Sequence, residues 1–167
     1  MNRHNRQSIR LKGYDYAQAG AYYVTVCVQD RKCPFGNVND GKMMSNDAGK
    51  IVNDSWRWLG DQYEYVELDE FIVMPNHIHG IICVNDAGRG GSRTAPTIKR
   101  KPLGRLIGAF KTVSTKQINI TRQTSGNQLW QRNYYEHIIR GEDDLIRIRE
   151  YIINNPARWE QDDYYVK

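Results

Sequence analysis

The sequence predicts an α+β fold, in which one antiparallel sheet carries helices packed on one of its faces. Two observations predict it. Short segments rich in aromatic and β-branched residues have the character of strands, while other segments repeat apolar residues every three or four positions. The two kinds of segment mix without the strict βαβ alternation of a parallel sheet. The length of 167 residues suits one domain, and we expect a single domain over residues 1–167.

The first half of the chain alternates strand and helix signals. GAYYVTVCVQD, residues 20–30, predicts the first strand, and Asp40-Gly41 is typical of a hairpin turn between short extended pieces. A helix is predicted to begin at Asn46 or Asp47 and to end near Gln62. The segment YVELDEFIVM predicts the next strand, and HIHGIICV predicts a strand that pairs back on it after a turn at Pro75-Asn76.

The second half begins with a Gly-, Ser-, Pro- and Arg-rich segment, residues 85–102, which predicts a flexible basic loop. Apolar residues again recur at helical spacing in the next segment, LGRLIGAFKTVSTKQINI, which predicts a helix. Short strands are predicted around Leu129-Trp130 and from Tyr135 to Ile139. The last helix is predicted from about Glu142 to about Asn155, because its first turn is acidic and Pro156 follows.

Basic residues are segregated from acidic ones along the chain. Residues 1–13 form a basic N-terminal arm without an acid, and residues 87–135 also contain neither Asp nor Glu, although the net charge of the whole chain is only +5. This pattern predicts a polyanionic partner, for which nucleic acid is the better candidate than a basic surface that is merely solvated. The positions proposed to contact DNA are Arg3, Arg6, Arg10, Arg100, Lys101, Arg105, Lys111, Lys116 and Arg132.

Other compositional features narrow the protein class. No apolar run approaches the roughly 20 residues that cross a bilayer, so no membrane partner is expected. The first residues lack the apolar core of a secretory signal. The three cysteines, Cys27, Cys33 and Cys83, have no metal-binding spacing and are predicted to be reduced thiols of a cytoplasmic protein.

Two histidines, His77 and His79, stand two positions apart on a predicted strand. Side chains at this spacing share one face, so the two imidazoles could form half of a divalent-metal site. Two histidines satisfied at a sheet surface are the alternative. A HIT-type nucleotide hydrolase requires H-x-H-x-H, but position 81 is Ile. A two-histidine phosphodiesterase requires two separate H-x-T/S pairs, but His79 is followed by Gly80 and Ile81, so neither hydrolase class fits.

The segment IREYIINNP adds a phenol and an amide to the histidine pair. Tyr151 and Asn155 are four residues apart and therefore lie on one helix face. The amide oxygen of Asn155 is an acceptable ligand for Mg²⁺ or Mn²⁺, and a tyrosine beside such an ion could attack a phosphodiester. Alone, Tyr151 would more often be a packing residue of an amphipathic helix.

Together, the segments FIVMPNHIHGII, LWQRNYYEHIIR and IREYIINNP closely resemble the single-tyrosine HUH transposases of the insertion-sequence (IS200-like) type, in particular the REP-associated tyrosine transposases. The resemblance spans about residues 13–159. It implies a ferredoxin-like or RRM-like domain that cuts single-stranded DNA next to hairpins through a 5′-phosphotyrosine intermediate. It also implies that His77 and His79 are metal ligands, that Tyr151 is the nucleophile and that Asn155 is a third ligand.

Several alternatives remain open from the sequence. Tyr134 and Tyr135 are rival nucleophiles, although they lie in a predicted strand and have no amide one helical turn away. The protein could be a domesticated relative that binds hairpins or repeats without cutting, or an RRM-type RNA binder, although the RNP1 pattern is missing. It could act as a monomer or a homodimer.

Overall fold

The computed structural model describes residues 13–86 and 99–166, and its centre is a four-stranded antiparallel sheet. In chain order the sheet strands are β1 (Gly20–Cys27), β4 (Val66–Met74), β5 (His77–Val84) and β6 (Tyr135–Ile139). Their order across the sheet is β4-β5-β1-β6. The predicted α+β class is confirmed, and the two histidines lie at the start of β5, a central strand.

A separate hairpin, formed by β2 (Gly36–Asn39) and β3 (Lys42–Ser45), precedes the first helix. Its turn is Asp40-Gly41, as predicted, and both residues have positive φ angles, 48° and 69°. Two consecutive positive φ values match the right-handed twist of the flanking strands, which explains why Asp-Gly occupies this turn.

Two helices, α1 (Asp47–Gln62) and α2 (Leu103–Thr121), cover one face of the sheet. The side chain of Asn46 caps α1 by accepting a hydrogen bond from the backbone N–H of Gly49, so the predicted start of this helix is confirmed. Trp56 of α1 stands edge-on to Phe110 of α2 and stacks on Phe71 of β4, and these contacts form the centre of the main core.

Gly80 on β5 creates the space that the Trp56 indole fills. A Cβ added at Gly80 would lie 2.5 Å from Cζ2 of Trp56. We expect Gly80→Ala to lower the free energy of unfolding by about 1–3 kcal/mol, because the buried indole must shift to admit a methyl group. Chemical denaturation checks this value, and Gly108→Ala, whose Cβ meets no atom of the described residues within 4 Å, is the matched control. A loss below 0.5 kcal/mol would show that Trp56 can move freely.

The third helix, α3 (Glu142–Asn154), packs on the opposite face of the sheet from α1 and α2. The sequence pattern predicted all helices on one face, and for α3 this part of the prediction is wrong. The reason is that β1 and β5 are apolar on both sides: Tyr23 and Ile81 face Ile148 and Ile152 of α3, while the alternate residues face the main core. A short 3₁₀ turn, Pro156–Gln161, follows α3.

The predicted strand at Leu129-Trp130 is wrong, because the segment forms only an isolated bridge between Val28 and Trp130. Trp130 is buried, and its indole N–H donates a hydrogen bond to the hydroxyl of Ser114. The N-terminal arm up to residue 12 and residues 87–98 of the predicted loop lie outside the described residues. No helix among the described residues is long and apolar enough to cross a membrane.

Candidate functional site

The two histidines of β5 project side by side from the sheet face that carries α3. Their Nε2 atoms are 2.9 Å apart, and both rings are fully buried. Antiparallel pairing sets His77 opposite Cys27 and His79 opposite Thr25 on β1. The prediction that the pair shares one face is therefore confirmed.

Asn76 orients the ring of His77. Its amide nitrogen donates to two backbone carbonyls, those of Tyr164 at 2.8 Å and Arg31 at 3.4 Å. Its amide oxygen therefore faces Nδ1 of His77, 2.8 Å away, and accepts that N–H. The Nε2 atom of His77 is left with a lone pair directed at His79, which is the form of imidazole that binds metals.

The other ring, His79, is held by two hydroxyls of β1. Its Nδ1 atom lies 2.8 Å from the hydroxyl of Tyr23 and 2.9 Å from that of Thr25. The Thr25 hydroxyl in turn donates to Tyr23 over 3.1 Å. These contacts follow from the strand register, because alternate residues of β1 face the same side as His79.

Burial keeps both imidazoles neutral. Removal from water lowers the pKa of His77 to about 3, and it lowers the pKa of His79 well below the usual value, with a smaller lowering from His77 and an opposing effect of Asp162. Neutral rings with adjacent lone pairs are suited to a shared cation.

The helix α3 brings Tyr151 to the histidines. The Tyr151 ring packs edge-on against His79, with ring centroids 5.2 Å apart, and 44% of the residue remains exposed. Burial of the ring raises the pKa of Tyr151, and the charge of Asp162 raises it further, while contacts with Asn155 and Tyr23 act in the opposite direction. The phenol is therefore close to the pair and accessible, but it is protonated at neutral pH.

Asn155 directly follows α3 and is buried beside the same site. Its amide nitrogen donates to Oδ2 of Asp162 over 3.1 Å. Its amide oxygen is buried and has no hydrogen-bond partner within residues 13–86 and 99–166. An unsatisfied buried oxygen costs free energy unless a ligand supplies a partner, so this atom fits the predicted role of a metal ligand.

Asp162 is a candidate ligand that the sequence reasoning missed. Its Oδ2 lies 4.0 Å from Nε2 of His77, and the ligand atoms of His77, His79 and Asp162 all lie within 4.8 Å of one another. No periodicity or motif in the tail EQDDYYVK indicated that this carboxylate, rather than its neighbour Asp163, turns inward.

The residues present fit a divalent cation. Two ligands about 2.1 Å from one ion and at right angles lie about 3.0 Å apart, close to the 2.9 Å between the Nε2 atoms. Two imidazoles, a carboxylate and an amide oxygen form a mixed nitrogen and oxygen donor set, and oxygen ligands favour Mg²⁺ or Mn²⁺.

The C-terminal segment also packs against the histidines. The Tyr164 ring lies 4.7 Å from the His77 ring, centroid to centroid. Its backbone N–H donates to Asp162, and Arg31 donates to the carbonyl of Asp163. These contacts fix the segment that carries Asp162.

The chain matches no established protein-family profile. It is 39% identical to an uncharacterised Haemophilus influenzae protein, over 98% of this chain and 94% of that protein. Its fold is shared with the solved structure of a REP-associated tyrosine transposase bound to a REP hairpin, with a TM-score of 0.60 at 17% identity, covering 90% of this chain and 74% of that one. A second Haemophilus influenzae protein, named "Putative REP-associated tyrosine transposase", is 23% identical over 86% of this chain and 74% of that protein.

The chain therefore has the fold of a REP-associated tyrosine transposase, the family that its motifs resemble. Its HUH motif is His77-Ile78-His79, and the middle residue points into the main core. The rival tyrosines lie at the start of β6, which β1 separates from the strand of the histidines. Tyr135 on β6 is paired with Thr25 and packs against Tyr23, whereas Tyr134 lies under the ammonium of Lys111.

The basic residues that the sequence predicts to contact DNA differ in how many contacts they make with the rest of the protein. Lys111 donates to three backbone carbonyls, those of residues 131–133, and burial lowers its pKa to about 8. Arg100 pairs with Asp86 at 2.7 Å. Lys101 lies over the Tyr63 ring, and Arg105 lines the same groove, about 800 Å³ in volume, at the start of α2.

Two further basic residues, Lys116 on α2 and Arg132, are exposed. Arg3, Arg6 and Arg10 lie outside the described residues. Lys99, Arg100 and Lys101 directly precede α2, and Arg105, Lys111 and Lys116 lie on it, so these basic groups follow the helix that packs on the sheet face opposite the histidines.

Proposed function

We propose that the protein is a metal-dependent single-stranded DNA endonuclease and strand transferase, a transposase that acts next to DNA hairpins. The observation that carries this proposal is the convergence of two neutral imidazoles and one accessible phenol, with the Tyr151 and His79 rings 5.2 Å apart. The amide oxygen of Asn155, which has no hydrogen-bond partner in the described part of the chain, and a nearby carboxylate supplement the donor set. His77, His79 and Asn155 would hold Mg²⁺ or Mn²⁺, with Asp162 as an additional ligand.

The proposed reaction is a phosphoryl transfer that conserves the energy of the phosphodiester. Oη of Tyr151 attacks the phosphorus, a new O–P bond forms, and the bond from phosphorus to the 3′ oxygen breaks. The phenol proton leaves to solvent, and the 3′ oxygen takes up a proton, so a 5′-phosphotyrosine and a free 3′-OH result. When bound, the cation withdraws charge from the scissile phosphate. The reverse attack by another 3′-OH rejoins the strand.

This reaction is tested by looking for the covalent intermediate. We expect a hairpin-bearing single-stranded oligonucleotide, incubated with the protein and Mn²⁺ or Mg²⁺, to give a band of protein joined to DNA on a denaturing gel. EDTA should abolish the band, and a fully duplex oligonucleotide should not give it. If varied hairpins produce no adduct with either ion, the catalytic proposal is wrong, and hairpin binding without cleavage by a domesticated relative becomes the better account.

The groove at the start of α2 supports hairpin DNA as the substrate. Lys99, Lys101 and Arg105 line it together with the Tyr63 ring, so it offers positive charge beside an aromatic surface. Phosphate oxygens bind such cations, and bases stack on such rings. The hairpin-bound relative supports the same partner, since its fold is shared.

Removal of one groove cation should weaken DNA binding without changing the chemistry. We expect Arg105→Ala to reduce hairpin affinity for all sequences alike and to reduce the slope of log affinity against log salt by about 1, as loss of one phosphate contact requires. Fluorescence anisotropy across a salt series measures this slope. Arg57→Ala, an exposed arginine of α1, is the control. An unchanged slope for Arg105→Ala would place the DNA elsewhere.

A further inference from the structure

The contact between the two Nε2 atoms permits only two proton arrangements. Nitrogens 2.9 Å apart repel each other if both direct lone pairs into the gap, unless a cation lies between them. Otherwise one ring must donate an N–H to the other. The site therefore has a proton-bridged form and a cation-bridged form, and both must be compatible with the surrounding hydrogen bonds.

His77 is the same tautomer in both forms. The amide nitrogen of Asn76 donates to two carbonyls, which leaves its oxygen as an acceptor facing Nδ1 of His77. An amide oxygen only accepts, so Nδ1 of His77 always carries the proton and Nε2 always carries the lone pair. The proton between the rings must then belong to His79.

His79 must therefore change tautomer between the two forms. In the proton-bridged form its Nε2 carries the hydrogen and its Nδ1 accepts a hydrogen bond. In the cation-bridged form Nε2 binds the ion, so Nδ1 carries the hydrogen and donates it. The partners of Nδ1 are the hydroxyls of Tyr23 at 2.8 Å and Thr25 at 2.9 Å. Hydroxyls both donate and accept, whereas an amide oxygen or a carboxylate would fit only one form.

We propose that Thr25 and Tyr23 are positioning residues that hold the His79 ring in one place through both tautomers, so that cation binding moves a proton from Nε2 to Nδ1 without moving the ring. This inference rests on the proposed metal site. The exchange balances: Nε2 loses one proton, Nδ1 gains one, and the imidazole stays neutral. No proton is released to the solution by this ring.

The hydroxyl of Tyr23 would also couple His79 to Tyr151, the proposed nucleophile. Thr25 donates to Tyr23, so in the proton-bridged form the Tyr23 hydrogen is directed to Nδ1. Once Nδ1 of His79 carries a hydrogen and donates it to Thr25, Nδ1 no longer accepts the Tyr23 hydrogen, which is then available to another acceptor. Tyr23 and Tyr151 lie against each other, with ring centroids 6.3 Å apart, and a hydrogen bond from Tyr23 would stabilise the Tyr151 phenolate. Cation binding and activation of the phenol would then be coupled.

The tautomer of His79 is read directly by nitrogen NMR of protein labelled with ¹⁵N-histidine, because N–H and lone-pair nitrogens differ widely in chemical shift. In EDTA we expect N–H at Nδ1 of one buried ring, His77, and at Nε2 of the other, His79. With Mg²⁺ we expect both rings to carry N–H at Nδ1. Single glutamine substitutions assign His4 and His137. If His79 carries its hydrogen on the same nitrogen in both conditions while Mg²⁺ binds, the proposal is wrong.

Metal affinity gives a second, independent measurement. We expect Thr25→Val and Tyr23→Phe each to weaken Mn²⁺ binding, measured by calorimetry, by about 10–100-fold. Thr25→Ser keeps a hydroxyl and should retain affinity. Tyr22→Phe removes another buried hydroxyl of β1, one that donates to the carbonyl of Gln18 away from the histidines, and it should also bind Mn²⁺ normally.

The possible failures are distinguishable. Affinities of Thr25→Val and Tyr23→Phe within twofold of the wild type would overturn the positioning role and leave the metal site intact. Absence of any Mn²⁺ or Mg²⁺ effect on the histidine signals of the wild type would overturn the metal site itself, and the positioning role with it.

Discussion

Replacing the Tyr151 hydroxyl should abolish the covalent DNA adduct. In Tyr151→Phe we expect strand cleavage to fall by at least about 1,000-fold, because the attacking oxygen is removed and no other group takes its place. The phenyl ring keeps its contact with His79 and Tyr23, so folding should be nearly unchanged. Quantified gel bands measure cleavage, and thermal denaturation measures stability.

The matched control is Tyr135→Phe. This tyrosine is similarly exposed, packs against the same Tyr23 ring and lies on the same face of the sheet, but it is on β6 instead of α3. We expect its cleavage rate to stay within about tenfold of the wild type, since only a packing contact changes. An adduct that persists in Tyr151→Phe and disappears in Tyr135→Phe would assign the nucleophile to β6.

Removing either imidazole should remove most of the metal affinity. We expect His77→Gln and His79→Gln each to weaken Mn²⁺ binding by about 100-fold or more, because a direct ligand is lost where loss of an outer partner alone costs 10–100-fold. Cleavage should fall in parallel and recover partly at high Mn²⁺ concentration. Calorimetry measures the affinity and the adduct assay measures the recovery.

His137→Gln is the control for these variants. His137 lies on β6 and hydrogen-bonds Asp144 at 2.8 Å, near the start of α3 and outside the histidine pair. Its loss should leave Mn²⁺ affinity unchanged. If His137→Gln weakens Mn²⁺ binding as much as His77→Gln does, the ion is not held by the HUH motif.

The sequence predicted the histidine pair because the period of a strand is fixed by backbone geometry. Residues two apart on β5 must share a face wherever the strand lies, so the closeness of His77 and His79 needs no tertiary information. The same holds for Tyr151 and Asn155, which the helical period places together. The Asp-Gly turn and the Asn46 cap are equally local, and they were predicted correctly.

Features that depend on packing between distant segments were not predictable. The inward turn of Asp162 depends on the tail crossing the end of the sheet, where Asn76 and Arg31 hold it. The sheet face on which α3 packs could not be predicted, because β1 and β5 carry apolar residues on both faces. The hydroxyl pair on β1 depends on register with β5, and nothing in the local sequence of Tyr23 or Thr25 specifies that register.

The Leu129-Trp130 error has a similar origin. The local residues suit a strand, but Trp130 is buried by packing against Phe35 and Phe110 and by its hydrogen bond to Ser114. Tertiary contacts of a single large side chain thus replaced the regular ladder that the local pattern favoured.

The most direct test of the account is a crystal structure of Tyr151→Phe bound to a hairpin-bearing strand and Mn²⁺, with the ion located by anomalous scattering. We predict one Mn²⁺ about 2.2 Å from Nε2 of both His77 and His79, coordinated also by an oxygen of the scissile phosphate, with the ring at position 151 directed at the phosphorus. An ion bound away from the two imidazoles, or a scissile phosphate on the far side of the sheet from α3, would contradict it.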